Sequence, residues 1–468
     1  MSDQENANGS KVLVQTQNRT KFSERLTYAL YFVGQNVFYM LLLSYLSPYF
    51  TDIGIPAAVA GTITLVVKVW DAVNDPIFGG IVDRTKFKKG KFMPWVRISV
   101  LAIPISTIIL FAVPSSLTLP IKIAWVVIGY MLWDLAYTIC DVPIFGLMTT
   151  MTDHQPERTT LITLGRIAAM LAMFGVSVLV PAMRAAIGGW LPTALVLSIV
   201  SLATMLPVCF VAKERMAPPQ GEEEIGLKQM FKFVFNNKFM LLFLVYNIVN
   251  SIFAVNTNLG LYLARYNLGG EEVMALLSMI TFIPILVITP FVPMISKKID
   301  KYYLFLISVL GSAVIGFIQY FAGYQNITLF MALSFLRGVF AALMATITFL
   351  FTPDITEYGV WKTGVRAIGV SFSIQSFTSK ITAAISTTAG LFALSMVGFI
   401  EGEGAQQLAG FPDKLWLIFT LVPAIGGVIG GIILLGYKLR DKDVAIMTQV
   451  NLGNITHEES LELLSKKY

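Results

Sequence analysis

The stretch AAVAGTITLVVKVWDAVNDPIFGGIV, residues 57–82, has the length of a membrane-spanning helix, yet it contains charged side chains. At a rise of about 1.5 Å per residue it is long enough to cross the roughly 30 Å hydrocarbon core of a bilayer. Lys68, Asp71 and Asp75 lie within it, and each would cost about 2.5–3.5 kcal/mol at a helix centre that faces lipid. These side chains must therefore face protein or water, which predicts a bundle of helices around a polar interior.

The whole chain shares this apolar character. Of its 468 residues, 56% are hydrophobic and 13% are charged, which is about half the charged share of a soluble domain. Apolar runs of about 20 residues recur along its length. We predict an all-α membrane protein with twelve transmembrane helices, at roughly residues 27–50, 57–80, 96–115, 121–149, 160–183, 192–212, 239–264, 272–295, 303–323, 328–352, 367–399 and 415–437.

The distribution of charge between the loops predicts the orientation of the chain. Loops on the side of the two termini are rich in lysine and arginine, whereas the opposite loops contain few of them. The positive-inside rule therefore predicts that both termini are cytoplasmic, in a multi-pass protein of the cytoplasmic membrane of a bacterium. The sequence pI of about 9.1 follows from these loops and does not indicate nucleic-acid binding. Residues 1–25 are polar and lack the apolar core of a signal peptide.

The sequence divides into two related halves. Tyr45 corresponds to Tyr262, and Asp83 corresponds to Asp300. The two residues of each pair are 217 positions apart. Parallel repeats of this kind place a substrate site near the midplane between the halves, and access alternates as one half rocks against the other. We predict a cytoplasmic tail at 1–25, a six-helix half at 26–212, a cytoplasmic loop at 213–238, a second six-helix half at 239–438 and a cytoplasmic tail at 439–468.

Two helix faces carry most of the charges expected within the membrane. Lys68, Asp71 and Asp75 are three and four residues apart, so they share one face of the second span with Asn74. The fourth span contains a second stripe at steps of four, three and four residues, namely Asp134, Thr138, Asp141 and Phe145. The basic side chains predicted within the membrane are Lys68, Arg166, Arg337 and Lys380.

These charges allow more than one interpretation. Four acidic and four basic side chains balance in number, which is consistent with ion pairs that only hold the bundle together. If Arg337 lies outside the cluster, the remaining charge sums to −1, and one bound cation would complete it. The carboxylates of Asp71 and Asp75, the Asn74 amide and the Thr138 hydroxyl are oxygen ligands suited to a small hard cation such as Na⁺. The same carboxylates would alternatively take up a proton. We predict no organic cofactor, only a coupling ion, Na⁺ or H⁺.

Uncharged polar side chains indicate a second ligand. The first span contains Gln35 and Asn36 between aromatic residues, and the eleventh contains Gln375 shortly before Lys380. Amides and hydroxyls hydrogen-bond to sugar hydroxyls, and aromatic rings pack on the apolar faces of a pyranose. The alternative is that these polar groups only join helices, at about 0.6 kcal/mol for each pair.

Four motifs in this order resemble those of one transporter family. They are WDAVNDP (70–76), DRTKFKKGKFMPW (83–95), YTICDVP (137–143) and EYGVWKTGVRAIG (357–369). On these motifs the chain resembles the glycoside–pentoside–hexuronide:cation symporter family of the major facilitator superfamily. The resemblance extends from about Phe22 to Leu439 and implies the major facilitator fold, with two pseudo-symmetric halves of six helices.

The resemblance also implies functional residues. It places the coupling cation on Asp71, Asn74, Asp75 and Thr138, with Asp71 and Asp75 as metal ligands if the ion is Na⁺. It places the sugar on Asp141, Arg166, Phe145, Gln375 and Lys380, to which the residues of span one add Gln35 and Asn36. It implies a gating role for Asp83 and Arg84 in one cytoplasmic loop and for Glu357, Trp361 and Lys362 in another.

The chain departs from the family pattern at one position in the first span. The family's best-known member has a Lys-Asp pair where this chain has Gln35-Asn36, and that aspartate helps to hold a galactosyl unit. Because the pair is neutral in this chain, we do not expect its substrate to be an α-galactoside. We predict a secondary active transporter that takes up a glycoside, an oligosaccharide or a pentoside together with Na⁺ or H⁺, with the sugar, the cation and the lipid bilayer as its partners.

Two alternatives remain open at this point. The first is a cation-coupled carrier of an anionic substrate, a hexuronide, a sulfonated sugar or a lysolipid, held by Arg166 and Lys380. The second is a membrane enzyme or a sensor that does not transport. The second has little support, because neither of the two histidines lies in a predicted span and no metal-binding motif is present.

Overall fold

The computed structural model describes residues 20–85, 87, 90–152, 154–215, 235–364 and 368–466, without the side chains of 76, 83, 155 and 368–373. The regular elements of this part of the chain are all helical. The predicted tail at 1–25 and loop at 213–238 lie mostly outside the described residues. The first half contains α1 (Phe22–Asp52), α2 (Ala57–Arg84), α3 (Met93–Phe111), α4 (Leu119–Met151), α5 (Gln155–Ile187), α6 (Trp190–Met205) and α7 (Val208–Val211).

The second half repeats this arrangement with more interruptions. Its elements are α8 (Lys238–Phe253), a 3-10 turn (Val255–Asn258), α9 (Gly260–Asn267), α10 (Val273–Ile288), a 3-10 turn (Thr289–Phe291), α11 (Val292–Ser296), α12 (Lys301–Ala322), α13 (Ile327–Thr363), α14 (Ile368–Met396) and α15 (Phe411–Leu434). Two short helices follow, α16 (Asp441–Asn451) and α17 (His457–Leu463).

The described helices account for twelve passes through a membrane. Ten of them are long and apolar enough to span it alone. The interrupted pair α8–α9 and the helix α14 supply the other two. The ends of several helices follow known sequence preferences. Proline occupies the first turn of α3, α4, α5 and α15, and Gly188 ends α5 with a φ of 77°. The predicted fold class, an all-α membrane protein, is confirmed.

Helix packing inside the two halves follows one pattern. In the first half, α1 packs on α6, α2 on α4, and α3 on both α4 and α6. In the second half, the corresponding pairs are α8 with α15, α10 with α13, and α12 with both α13 and α15. The halves meet where α2 packs on α14 and where α5 packs on α10. The pseudo-symmetry that relates the two halves converts one of these contacts into the other. The repeat seen in the sequence thus corresponds to a repeat in packing.

We call the end of the bundle at which α1 terminates the outer end. The opposite end is the inner end, and the charge pattern predicts that it is cytoplasmic. At the outer end, side chains of both halves form one apolar core. Phe50 of the first half belongs to it together with Leu259, Tyr262 and Leu391 of the second. Burial of these large side chains holds the halves together at this end.

The sixth predicted span is interrupted at Pro207, between α6 and α7, and the structure differs from the predicted spans in two further places. The seventh span is not one helix, because α8 stops at Phe253 and a 3-10 turn precedes α9. The eighth span is divided by a 3-10 turn that contains Pro290, and Pro293 follows in the next turn. Proline lacks the N–H that an α-helix needs, which explains the interruption of the eighth span. The interruption of the seventh span contains no proline, and within it Thr257 Oγ1 donates to the Ala254 carbonyl oxygen at 2.8 Å, a local side-chain bond of the kind that competes with helical hydrogen bonds.

Candidate functional site

A cavity of about 320 Å³ lies between the two halves. Helices α1, α2 and α4 line it from the first half and α14 from the second. The cavity collects all four carboxylates predicted within the membrane but only two of the four basic groups. Its charged side chains are Asp71, Asp75, Asp134, Asp141, Lys68 and Lys380. We refer to it as the central cavity.

Lys380 connects the halves by binding both aspartates of α2. Its Nζ donates to Asp71 Oδ1 at 3.2 Å and also to Asp75 Oδ2. The two carboxylates point the same way because they are four residues apart on one helix. The ammonium group therefore occupies the space between the carboxylates, where the sequence predicts a bound cation.

A second lysine lies on the other side of Asp71. Lys68 Nζ is 3.4 Å from Asp71 Oδ2 and 3.8 Å from Asp134 Oδ1. Asp134 is buried, and its Oδ2 has no hydrogen-bond partner among the described residues. No role for Asp134 was predicted from the sequence. The structure places it in the wall of the central cavity, as a carboxylate that Lys68 only partly compensates.

Asn74 and Thr138 form a hydrogen-bonded chain that ends on Asp75. Asn74 Nδ2 donates to Thr138 Oγ1 at 2.9 Å, and Thr138 Oγ1 lies 3.0 Å from Asp75 Oδ1. Asn74 does not line the central cavity, so it acts here by positioning Thr138. Within the described part of the chain, no three His, Cys, Asp or Glu side chains are grouped as a metal site. The oxygen atoms available to a cation at this point are those of Asp71, Asp75 and Thr138.

Gln35 links the first span to the same cavity. Its Nε2 donates to Asp141 Oδ1 at 2.7 Å, and its Oε1 is buried without a partner among the described residues. A neutral amide thus holds Asp141 in place. One carboxylate oxygen remains for another ligand.

Aromatic rings cover one wall of the central cavity. Trp133 and Tyr137 of α4 stack with ring centroids 5.1 Å apart, and Tyr39 of α1 lies 5.8 Å from Tyr137. All three line the cavity together with Tyr130. The sequence prediction missed the α4 rings. The signal was present, because Trp133 and Tyr137 directly precede Asp134 and Thr138 and share their helical spacing.

Five of the seven predicted sugar-binding residues do not line the central cavity, and one of them, Gln35, contacts it only through Asp141. Asn36 donates to the Phe32 carbonyl oxygen, and Gln375 lines a separate cavity of about 40 Å³ beside Asn247. Phe145 is 45% exposed and packs edge-on against Phe32. Arg166 is exposed and forms no ion pair with the described residues.

The predicted gating residues Glu357, Trp361 and Lys362 lie in the last turns of α13 and not in a loop, and the first two contact the C-terminal segment. Glu357 accepts a hydrogen bond from the Asn451 side chain of α16 at 2.6 Å. Trp361 stacks on His457 of α17 at 4.7 Å and donates to Ser460. Lys362 lies over the Tyr358 ring. Of the other two predicted gating residues, Arg84 is exposed, and the side chain of Asp83 lies outside the described part of the structure.

At the outer end, a cluster of ion pairs joins the halves. Asp52, at the end of α1, accepts two hydrogen bonds from Arg265 of α9, at 2.7 and 2.8 Å. Arg184, at the end of α5, binds Glu271 and Glu403 of the second half. We call these five residues the outer ion cluster. They close the bundle on this side together with the apolar core described above.

Comparison with known proteins assigns the family. Residues 27–441 match the model of the family described as MFS/sugar transport protein. The chain belongs to this family. It is therefore a transporter and not an enzyme, and the family resemblance found in the sequence is confirmed.

Curated relatives and a solved structure agree with this assignment. An uncharacterized symporter, YjmB of Bacillus subtilis, is 28% identical over 94% of this chain and 97% of its own. An isoprimeverose transporter of Lactiplantibacillus pentosus is 25% identical over 90% of both chains. The crystal structure of the nucleoside transporter NupG covers 89% of this chain and all of its own, with a TM-score of 0.66 at 14% identity. The last match concerns the fold alone.

Proposed function

We propose that this sugar transporter is a cation-coupled symporter whose ion binds between Asp71 and Asp75. The supporting observation is the position of Lys380, whose ammonium group bonds both carboxylates within the central cavity. A positive charge is thus already favoured at that point. A cation that displaces the lysine would find two carboxylates and the Thr138 hydroxyl as oxygen ligands, which suits Na⁺.

The substrate we propose is a neutral glycoside or pentoside. The central cavity combines a wall of aromatic rings with Asp141, which Gln35 holds in place. Its volume lies within the roughly 300–1,000 Å³ range of small-molecule sites. Four carboxylates face two lysines there, so the cavity already has two uncompensated negative charges and would repel an anionic substrate unless cations accompanied it. This charge balance favours a neutral sugar over an anionic substrate. One relative is named an isoprimeverose transporter, whereas two others are named a glucuronide carrier protein homolog and a putative sulfoquinovose importer, so the proposal of a neutral sugar rests on the charge balance.

Coupling follows if the sugar and the cation each complete the same set of contacts. When a cation displaces Lys380, the lysine is released to bind sugar hydroxyls, and Asp141 keeps an oxygen free for the same purpose. Each ligand then raises the affinity of the other by an equal factor. Transport would proceed by alternating access, with the outer ion cluster closed in the state described here and broken in the opposite one. We further propose that both termini lie in the cytoplasm.

Titration calorimetry on the purified protein tests this proposal. Methyl glycosides and pentosides are titrated in NaCl and in choline chloride, and over a range of pH. We expect sugar to bind about tenfold or more tightly with the coupling ion present, because a typical coupling free energy is about 1–3 kcal/mol. Asp75→Asn should abolish the ion response. The matched control is Asp413→Asn, at an exposed carboxylate of the outer end.

The pattern of results separates the candidates. A sodium response supports Na⁺, and proton uptake on sugar binding in its place supports H⁺. If the wild-type protein binds sugar with neither response, the aspartates are structural and the coupling proposal is wrong, although the chain remains a member of its family.

A further inference from the structure

A second cavity of about 320 Å³ lies between the halves, apart from the central one. Met40 of α1 and Ser177 of α5 line it from the first half, and α9, α10, α12, α13 and α15 line it from the second. The two cavities share no lining residue. The 3-10 turn before α9 separates them, since Asn256 and Thr257 face the second cavity and the next residue, Asn258, bonds Thr387 of the central one at 2.6 Å.

The second cavity contains Arg337, the intramembrane arginine that the central cavity leaves out. Its only hydrogen bond among the described residues is from Nη1 to Gln319 Oε1, at 3.3 Å. No carboxylate lies within ion-pair distance of it in the described part of the chain. A guanidinium group has five N–H donors and keeps its proton at any physiological pH. Ionisable side chains at this depth normally have a partner or a ligand.

Gln319 does not relieve this charge. It is 1% exposed, and its Nε2 donates to Ser334 Oγ at 2.9 Å, so the amide is fixed between Ser334 and Arg337. Its single carbonyl oxygen can accept from the arginine but supplies no negative charge. Most of the donors of Arg337 therefore remain available to a ligand in the cavity.

The hydroxyl groups around the second cavity offer hydrogen-bond acceptors, which complement the donors of Arg337. Thr257, Ser278 and Thr281 donate their own protons to backbone carbonyl oxygens at 2.8, 3.3 and 2.9 Å. Their oxygen lone pairs are left to accept hydrogen bonds from a ligand. One end of the cavity thus offers charged donors and the remainder offers acceptors.

We propose that the second cavity binds a hydroxylated monocarboxylate, with the carboxylate on Arg337 and the hydroxyls on the threonines and serines. Arginine binds carboxylates through two parallel N–H bonds, which suits a planar anion. A sugar acid has the required combination of one carboxylate and several O–H donors. The site is separate from the coupling cavity, so its ligand is additional to the sugar of the proposed symport. Since both halves line it, binding should also favour the closed outer end.

The test compares D-glucuronate with D-glucuronamide, its neutral isostere, by titration calorimetry on the full-length protein. A charged hydrogen bond contributes about 1.5–3 kcal/mol, so glucuronate should bind about ten to a hundred times more tightly than the amide. Arg337→Gln should remove this preference, and Arg337→Lys should retain part of it. Gln319→Glu should also remove it, because a resident carboxylate would neutralise the arginine. Lys414→Gln, which removes an exposed positive charge at the same end, is the matched control and should not alter it.

Three results would overturn the proposal. The first is equal binding of glucuronate and glucuronamide by the wild-type protein, or binding of neither. The second is an unchanged preference in Arg337→Gln. The third is loss of the preference in Arg166→Gln instead, which would place the anion at the arginine that the sequence favoured. The sodium response of a neutral sugar is measured in the same wild-type preparation, so failure of the symport proposal is seen separately.

Discussion

Asp52→Asn is expected to open the outer end of the bundle. In the structure Asp52 is nearly buried, and it receives two charged hydrogen bonds from Arg265 and one from the Trp190 indole at 2.9 Å. Asparagine keeps an acceptor for the indole but loses the negative charge. Arg265 belongs to the other half, so the lost attraction is one that holds the halves together.

The size of the effect follows from the remaining contacts. Removing one partner of a buried ion pair costs about 3–5 kcal/mol when the other charge is left alone. Arg265 is not left alone, because its Nε still bonds Glu271 at 2.7 Å. We therefore expect the lower value of a charged hydrogen bond, about 1.5–3 kcal/mol. This corresponds to a rise of about 10- to 150-fold in the ratio of outward-open to outward-closed protein.

Cysteine labelling measures this ratio. Ser278→Cys places a thiol in the second cavity, at a residue that is 5% exposed and bonded across the halves to Ser177. The native cysteines, both buried, are replaced by alanine. A membrane-impermeant maleimide added from outside should react about tenfold or more faster in the Asp52→Asn background, in proportion to the open population.

Two further variants define the outcome. Arg265→Gln should accelerate labelling to a similar extent, and the double variant should add little, because both remove the same interaction. Glu403→Gln should have a small effect, since that carboxylate is 63% exposed and screened by water. Labelling rates within twofold of the parent for both Asp52→Asn and Arg265→Gln would refute the idea that this ion pair closes the outer end.

Three other expectations concern the central cavity and the inner end. Lys380→Gln should lower the sodium concentration needed to enhance sugar binding by about tenfold or more, because a competing charge is removed; an unchanged sodium dependence in calorimetry would contradict the displacement mechanism. Tyr137→Ala should weaken sugar binding by about two- to tenfold through the loss of ring contacts, with Tyr324→Ala, remote from the cavity, as control. Trp361→Ala should free α17 from the bundle and accelerate proteolysis near His457, and equal cleavage rates in variant and parent would count against that contact.

The sequence was sufficient for the fold and for the core of the candidate site. Apolar length alone predicts the spans, and the spacing of Asp71 and Asp75 predicts that they share a face, because both depend on local helix geometry. Arg166 and Arg337 both lie outside the central cavity, whose charged side chains sum to −2, whereas the sequence prediction allowed only Arg337 to lie outside and expected −1. Whether the clustered residues bind ligands stays a prediction.

Other features were beyond the sequence, for a physical reason. Phe145 continues the α4 stripe of Asp134 and Asp141, but the central cavity ends before it, and helical periodicity says nothing about where a cavity ends. The outer ion cluster joins residues as distant as Asp52 and Glu403, which meet only when the two halves pack. No local pattern encodes such contacts.

The lysine between the two aspartates has a consequence for the electrical behaviour of the transporter. With the ion site empty, Lys380 and Lys68 compensate two of the four carboxylates in the central cavity, so the unloaded protein moves with a charge of −2 on this site. Loading a monovalent cation then adds one positive charge to the moving unit. The membrane potential, worth about 2.3 kcal/mol per elementary charge at 100 mV, should therefore act on both steps, and it should favour the outward return of the empty carrier more strongly than it opposes the inward step of the loaded one.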